Sequence, residues 1–366
     1  MAPEQPAWAN RSRTVSSACL QASGGTAVPF LRCGSCSPAA IVSQTAVTSS
    51  VRQFRSSGRA DLAKLSQQEI AQLLSQAPDH YNGPLFDQTP SCQAPFSAGT
   101  VTVAALQAAT ARLNALRRIA GLPAVTLDAG LCSSAQYGAV IQAARGSLSH
   151  TPAAPADMST DFYQKACAAS SSSNLAAGYS LVEAVDGLME DSSPSNIQTL
   201  GHRRWQLSPL LGKVGFGYAE SNTRYRCYTA EKVFDTSAAP GSYDFISWPA
   251  SGNFPTQLIQ QRTAWSISLN HERFQTPTGD VRITVTREAD GKTWALYTGC
   301  KDGLFSVTPS GYGPDSCISF RPGDGCTGPG TYTVRVSGLK TADGQAVTDF
   351  SYQVILFDLN HLAACS

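Results

Sequence analysis

Apolar residues recur at helical spacing in several segments between residues 61 and 190 of this chain and alternate with polar ones in the last third. Leu62, Leu65, Ile70, Leu73 and Leu74 share one side of segment 61–76, where Ser66 and Glu69 have capping-box spacing. A loop rich in Pro, Gly and Asn follows, from Pro78 to Gly99. Val103, Leu106, Leu113, Leu116 and Ala120 then mark a longer helix, with Thr102 as its cap and Gly121 and Pro123 as its stop. Asp128 caps a second helix over 129–145, whose Leu131, Ala135, Gly138 and Ala139 offer a small-residue face for close packing. Gly146 ends it. The Ser/Ala-rich stretch 168–177 reads as a loop. Leu181, Val182, Val185, Leu188 and Met189 make the apolar face of a third helix ending near Glu190, and 191–196 is a loop. Two strands, 213–220 and 225–234, close this part.

Composition changes at Ala238-Ala239-Pro240-Gly241, and beyond it the period is two. Residues 264–269 and 281–286 alternate, Asp290-Gly291 supplies a hairpin turn, and 331–336 and 350–357 alternate again. The pattern predicts an α+β protein in four parts. Residues 1–60, rich in Ser, Ala, Gly and Pro without a sustained period, are expected to be disordered. Residues 61–99 form a short helix and linker, 100–238 a layered domain of helices over a small antiparallel sheet, and 239–366 an all-β sandwich (Ig-like).

A net charge of +1 with 14% charged residues leaves no electrostatic footprint for nucleic acid. No apolar run approaches the ~20 residues of a membrane span. No export signal is legible near the start: the nearest candidate, 38–47, is interrupted by polar residues. Eleven cysteines lean toward an oxidising compartment. Cys317 and Cys326 flank a turn-rich segment and are expected to close a small loop, a bridge worth about 3 kcal/mol. Cys33 and Cys36 have redox-motif spacing but no βαβ context.

Five histidines leave few places for chemistry. His150 follows a helix end in Leu148-Ser149-His150, and His202 opens Gly201-His202-Arg203-Arg204-Trp205. His271 and His361 stand alone in the β region and read as surface residues. Read singly, His150 is a residue favoured by a helix C-terminus. His202 is then a satisfied strand-edge histidine, with Arg203 and Arg204 pairing surface acids such as Asp186, Glu190 or Asp191.

Together with Leu113-Asn114-Ala115-Leu116-Arg117-Arg118, Gly121-Leu122 and Asn174-Leu175-Ala176-Ala177-Gly178, the two histidine contexts resemble the CAP or SCP superfamily of cysteine-rich secretory, antigen 5 and pathogenesis-related proteins. The closer likeness is to its bacterial extracellular form with a C-terminal β-sandwich. The resemblance covers about residues 100–236. It implies an α-β-α sandwich around a three-stranded antiparallel sheet, an extracellular or cell-surface location, and a shallow cleft of two histidines and two acids that often binds a divalent metal.

His150 and His202 take the histidine positions and are the candidate metal ligands. Ser173 stands before Asn174 where the family has Glu, and Asp157 or Asp161 lies where the other acid is expected. Glu183 sits on the intervening helix. Serine is a poor substitute for a carboxylate ligand, so the expected site is degenerate: no cofactor is required, and a divalent metal would be held weakly. The resemblance therefore points to a binding module for an extracellular ligand or protein partner rather than an enzyme. The alternative is a secreted hydrolase with His150 as general base and His202 as electrophile or metal ligand; Ser173 lacks the glycine context of an activated nucleophile.

Overall fold

The computed structural model describes residues 57–313, 315–324 and 326–363, together with the strand Thr14–Ser16. The expectation of disorder for 1–60 otherwise falls outside the described residues, except at its end. There Gly58 N donates to Phe245 O at 2.8 Å and Arg59 N to Gly121 O at 2.8 Å, so residues 57–60 link the two halves of the molecule.

Seven helices are described: α1 (Gln67–Gln76), α2 (Val103–Ile119), α3 (Ala129–Arg145), α4 (Thr160–Ser170), α5 (Leu181–Glu190), α6 (Gly201–Gln206) and α7 (Leu359–Ala363). The expected caps are in place. Ser66 and Glu69 form a reciprocal capping box on α1, Thr102 accepts from Ala105 N, Asp128 accepts from Leu131 N, and Gly146 ends α3 in the left-handed conformation. The Ser/Ala-rich stretch corrects the sequence reading. Its first residues complete α4 and its last form a strand, because small side chains suit both a helix packed on α3 and a strand buried on both faces.

The strands of the first domain are β1 (Thr14–Ser16), β2 (Phe86–Gln88), β3 (Thr100–Val101), β4 (Thr126–Leu127), β5 (Asn174–Ala177), β6 (Lys213–Glu220) and β7 (Cys227–Lys232). Its main sheet runs β1-β5-β7-β6-β4. The expected three-stranded core, β5-β7-β6, is antiparallel throughout; β1 extends one edge antiparallel and β4 the other in parallel.

Alternation along the strands gives each face its own helices. Leu175, Ala177, Tyr228 and Ala230 pack under α3 and α4 with Ala135, Ala139 and Ala166. Val214, Phe216 and Tyr218 pack against α2 and α5. Gly215 and Gly217 make the α3 contact possible, since a Cβ at either would collide with the α3 backbone at Leu131 and Ala135.

The second domain holds β8 (Phe245–Trp248), β9 (Gly252–Pro255), β10 (Trp265–Leu269), β11 (Arg282–Arg287), β12 (Thr293–Leu296), β13 (Gly303–Thr308), β14 (Ser316–Pro322), β15 (Gly330–Ser337) and β16 (Phe350–Phe357). They form two sheets, β13-β14-β10-β8 and β12-β11-β15-β16-β9, antiparallel except for the β9–β16 pair. Trp265 meets Tyr332 at 6.0 Å between ring centroids and Phe245 meets Tyr352 at 5.2 Å, so the sheets pack face to face. One buried core runs from α2 and α5 through Trp248 into this sandwich. None of the described helices is long and apolar enough to cross a membrane.

The cysteines correct a second expectation. All seven described cysteines are free thiols, Cys317 and Cys326 among them. Cys317 lies near the start of β14 and Cys326 beyond its far end.

Replacing Gly217 by Ala forces α3 off the sheet and is expected to cost about 1–3 kcal/mol in urea unfolding. Gly279→Ala, with nothing within 4 Å of the added methyl, is the control and should leave stability within about 0.5 kcal/mol.

Candidate functional site

The N-terminal end of β5 is where the two layers of the first domain meet, and segment 170–174 runs through that point. His150, just beyond the end of α3, holds its Nδ1 2.8 Å from the carbonyl oxygen of Ser170 at the end of α4. A carbonyl can only accept, so Nδ1 carries the proton. On the other side, Asn174 Nδ2 donates to His202 O at 3.2 Å and to Glu231 Oε2 at 3.0 Å. The segment therefore has one histidine hung from its start and the backbone of the other pinned to its end.

His202 is 3% exposed. Its Nδ1 lies 2.7 Å from Asp191 Oδ1, and Asp191 Oδ2 accepts from His202 N at 2.8 Å and Arg203 N at 3.3 Å. The carboxylate fixes Nδ1 as a donor, the arrangement by which a carboxylate orients an imidazole and raises the basicity of its other nitrogen. Asn196 stands 3.4 Å from the same Nδ1; with the proton there, its amide oxygen is the atom that belongs against the ring. Asp191 is buried and in the left-handed conformation at φ 45°, so α5 ends by turning this carboxylate inward toward α6.

Glu231 faces the same side from β7 and is fully buried, accepting from Gln206 Nε2 at 3.0 and 3.1 Å as well as from Asn174. Burial pushes its carboxyl up to about 7, against the smaller lowering effects of the Gln206 and Asn174 amides and of His202. The next residue, half-buried Lys232, points to the other layer and donates to Ser172 Oγ; burial lowers its ammonium to about 8.

Of the residues singled out in the sequence, the fold gathers His150, Ser173, Asn174 and His202 around this segment. Ser173 is buried and its hydroxyl donates to Ala169 O at 2.8 Å. Asp157 is exposed, and Asp161 is exposed in an ion pair with Lys165 at 2.8 Å. Glu183 occupies the first turn of α5, where its carboxylate accepts from Ser180 N at 2.9 Å as a cap.

Arg203 and Arg204 do not pair surface acids. Both are buried among carbonyls, and Asp186 pairs with Arg112 at 2.7 Å. His271 is not alone, since its Nδ1 lies 2.9 Å from Asp315 Oδ1.

Asp191, Glu231 and Lys232 are the groups that sequence reasoning missed. Alternation along β7 was the available signal: it places Glu231 on the face of buried Phe216, where a carboxylate must have partners. Among the described residues, no group of three or more His, Cys, Asp or Glu is arranged to hold a metal ion. Two imidazoles fall short of the three protein ligands of a catalytic zinc.

A sheet with an antiparallel core between two helical layers, with a His–carboxylate pair beside the start of β5, defines an α-β-α sandwich of the CAP type. Residues 110–232 match the sequence model of the Cysteine-rich secretory protein family (CAP), and the chain carries a CAP domain over that stretch. Searches of curated proteins and of solved structures find no match to the chain.

The raised carboxyl of Glu231 gives a signed prediction. Its neutral form stabilises the fold fully below pH 4.5, its ordinary value, and that contribution is lost as pH rises through about 7. Glu231→Gln keeps the neutral shape at every pH. Relative to the parent, its stability should rise between pH 4.5 and 7 by up to about 3 kcal/mol and level off above, in urea unfolding followed across that range.

Proposed function

We propose that this is an extracellular or cell-surface protein whose CAP domain is a binding module for an extracellular ligand or protein partner, with the His150–His202 region as its cleft. One observation carries the reading. Both imidazoles donate through Nδ1 to fixed acceptors, Ser170 O and Asp191, on either side of one short segment. With Nδ1 committed as the donor, Nε2 is the nitrogen that accepts a hydrogen bond from a ligand when the ring is neutral. The location rests on the family, whose members are generally extracellular.

The Asp191–His202 pair also has the form of an oriented general base, and this favours the alternative of a secreted hydrolase. Ser173 weighs against it, because its hydroxyl is buried and committed to Ala169 O, and an activated nucleophile needs its proton directed at the base. Binding is the reading with fewer requirements.

Incubation of the parent and a His150→Ala/His202→Ala variant with divalent metals, lipid vesicles and peptide substrates separates the two. The binding reading expects at least one of these to bind the parent, at least tenfold more weakly to bind the variant, and no turnover. Turnover by the parent that the variant lacks would establish the hydrolase. Equal behaviour of the two proteins in every assay would leave the histidines as structural residues.

A further inference from the structure

A cavity of about 1150 Å³, open to solvent, lies at the other end of β5 from the histidines. The β6–β7 turn (221–226), loop 90–93 and the end of α3 surround it, and Gly178 and Cys227 are in its wall. Those two are joined at the C-terminal end of β5, where Gly178 N donates to Cys227 O at 2.9 Å. Cavities of ~300–1,000 Å³ hold drug-sized ligands, so the space is ample for one.

Two cations in its wall have no carboxylate partner. Arg224 and Arg226 are exposed, and among the described residues neither guanidinium makes an ion pair or a hydrogen bond. Arg224 lies over the Tyr225 ring instead, 5.1 Å from its centroid, which restrains it beside the cavity. The charge of Arg226 is felt at the Cys227 thiol, whose ionised form it favours, so that side chain extends toward the cavity wall.

The backbone of Arg226 is held in a costly form. It has φ 63°, in the left-handed region, where Arg226 N donates to Thr223 O at 3.2 Å and Ser221 N donates to Arg226 O at 2.8 Å. A glycine would close the same turn without the steric penalty of a Cβ. An arginine in such a position, two residues from another on the same cavity, points to a use for its side chain. The acids of the cavity are engaged with neutral donors: Glu220 Oε1 accepts from Tyr218 OH at 3.2 Å, and Glu183 accepts from Ser180 N at 2.9 Å. Their charges offset the two guanidiniums, so the cavity favours a single negative charge over a dianion such as phosphate. Ser91, Gln93 and Asn222 complete the wall with groups that exchange hydrogen bonds with hydroxyls.

We propose that this cavity binds a uronic-acid saccharide. The sugar carboxylate accepts from the guanidiniums of Arg224 and Arg226. Its hydroxyls exchange hydrogen bonds with Gln93, Asn222 and the Glu220 carboxylate. A simple carboxylic acid leaves the neutral groups unused, and a neutral sugar leaves the guanidiniums unused. A zwitterionic peptide is the competing occupant, since its ammonium suits Glu220; the neutral polar side chains of the wall favour the sugar. The site is separate from the histidine cleft and does not rest on the reading given to it.

Calorimetric titration of the full chain tests it with digalacturonate, a hyaluronan disaccharide, lactose, glutarate and triglycine. At least one of the two acidic disaccharides is expected to bind, and lactose, glutarate and triglycine at least tenfold more weakly. Arg226→Gly suits the left-handed turn, so this variant should match or exceed the parental Tm while its affinity for the acidic disaccharide falls at least tenfold. Arg224→Gln should weaken the same ligand, and His150→Ala/His202→Ala should bind it as the parent does. Failure of both acidic disaccharides to bind would overturn the proposal. So would equal binding of lactose or glutarate, a preference for triglycine, or undiminished binding by Arg226→Gly.

Discussion

The guanidinium of Arg203 is the point on which the arrangement of this molecule depends. It is 1% exposed and donates to Met189 O, Glu190 O, Ala264 O and Ser266 Oγ at 2.6 to 3.2 Å. A buried cation is tolerable only when its donors are satisfied and negative potential surrounds it. Here the potential comes from the C-terminal carbonyls of α5 and from the nearby carboxylates of Glu190 and Asp191. Those acceptors belong to both domains, so α6 is locked to α5 on one side and to β10 on the other. His202, one residue earlier, inherits that fixed position. Arg204, one residue later, extends the lock into the sandwich through Asp315 O at 2.6 Å and Pro309 O at 2.9 Å.

The residues that make the family legible are mostly braces of this kind. Asn114 exchanges two hydrogen bonds with the backbone of Val125, at 2.7 and 3.0 Å, and so fixes the turn after α2. Arg117, fully buried, donates to the carbonyls of Pro123, Gln206, Ser208 and Leu211 and ties α2 to the loop behind α6. Burial lowers its pKa to about 9, because the cation has lost the water around it. Asn174 spans β5, α6 and β7. Recognition of the CAP domain is therefore recognition of how its layers are held together. The chemistry at the site depends equally on Asp191, Glu231 and Lys232, which lie outside the quoted motifs.

A continuous core joins the CAP domain to the β-sandwich, and the acids at their junction follow from it. Because Trp248 and Phe254 enter the same packing as Leu116 and Val185, α5 is covered on the side that an isolated domain would turn to water. Its acids on that side need partners inside the protein. Asp186 has Arg112, Asp191 has His202, and Glu190 has Thr263 for one oxygen. The polar groups of this helix are thus distributed between bracing the fold and lining a small cavity at the junction.

Local patterns were enough to read α2, α3 and α5 with their caps, the β6–β7 hairpin and the change to period two after residue 238. Each depends on neighbours within a few turns of chain, where spacing and capping residues speak directly. They were not enough for segment 168–177, whose small residues satisfy a helix end and a buried strand equally well until α3 and β7 choose between them.

The two histidines could be named from their contexts, but not what holds them. The acid beside His202 proved to be Asp191, which the sequence presented as a surface residue at a helix end. The buried acid proved to be Glu231, which alternation along its strand turns inward but whose partners, Asn174 and Gln206, lie far away in the chain. The chain's own order determined which elements form and which side chains are candidates for chemistry. Only tertiary packing decided which carboxylates lose their water, because desolvation depends on what long-range contacts bring against a group rather than on the residues beside it.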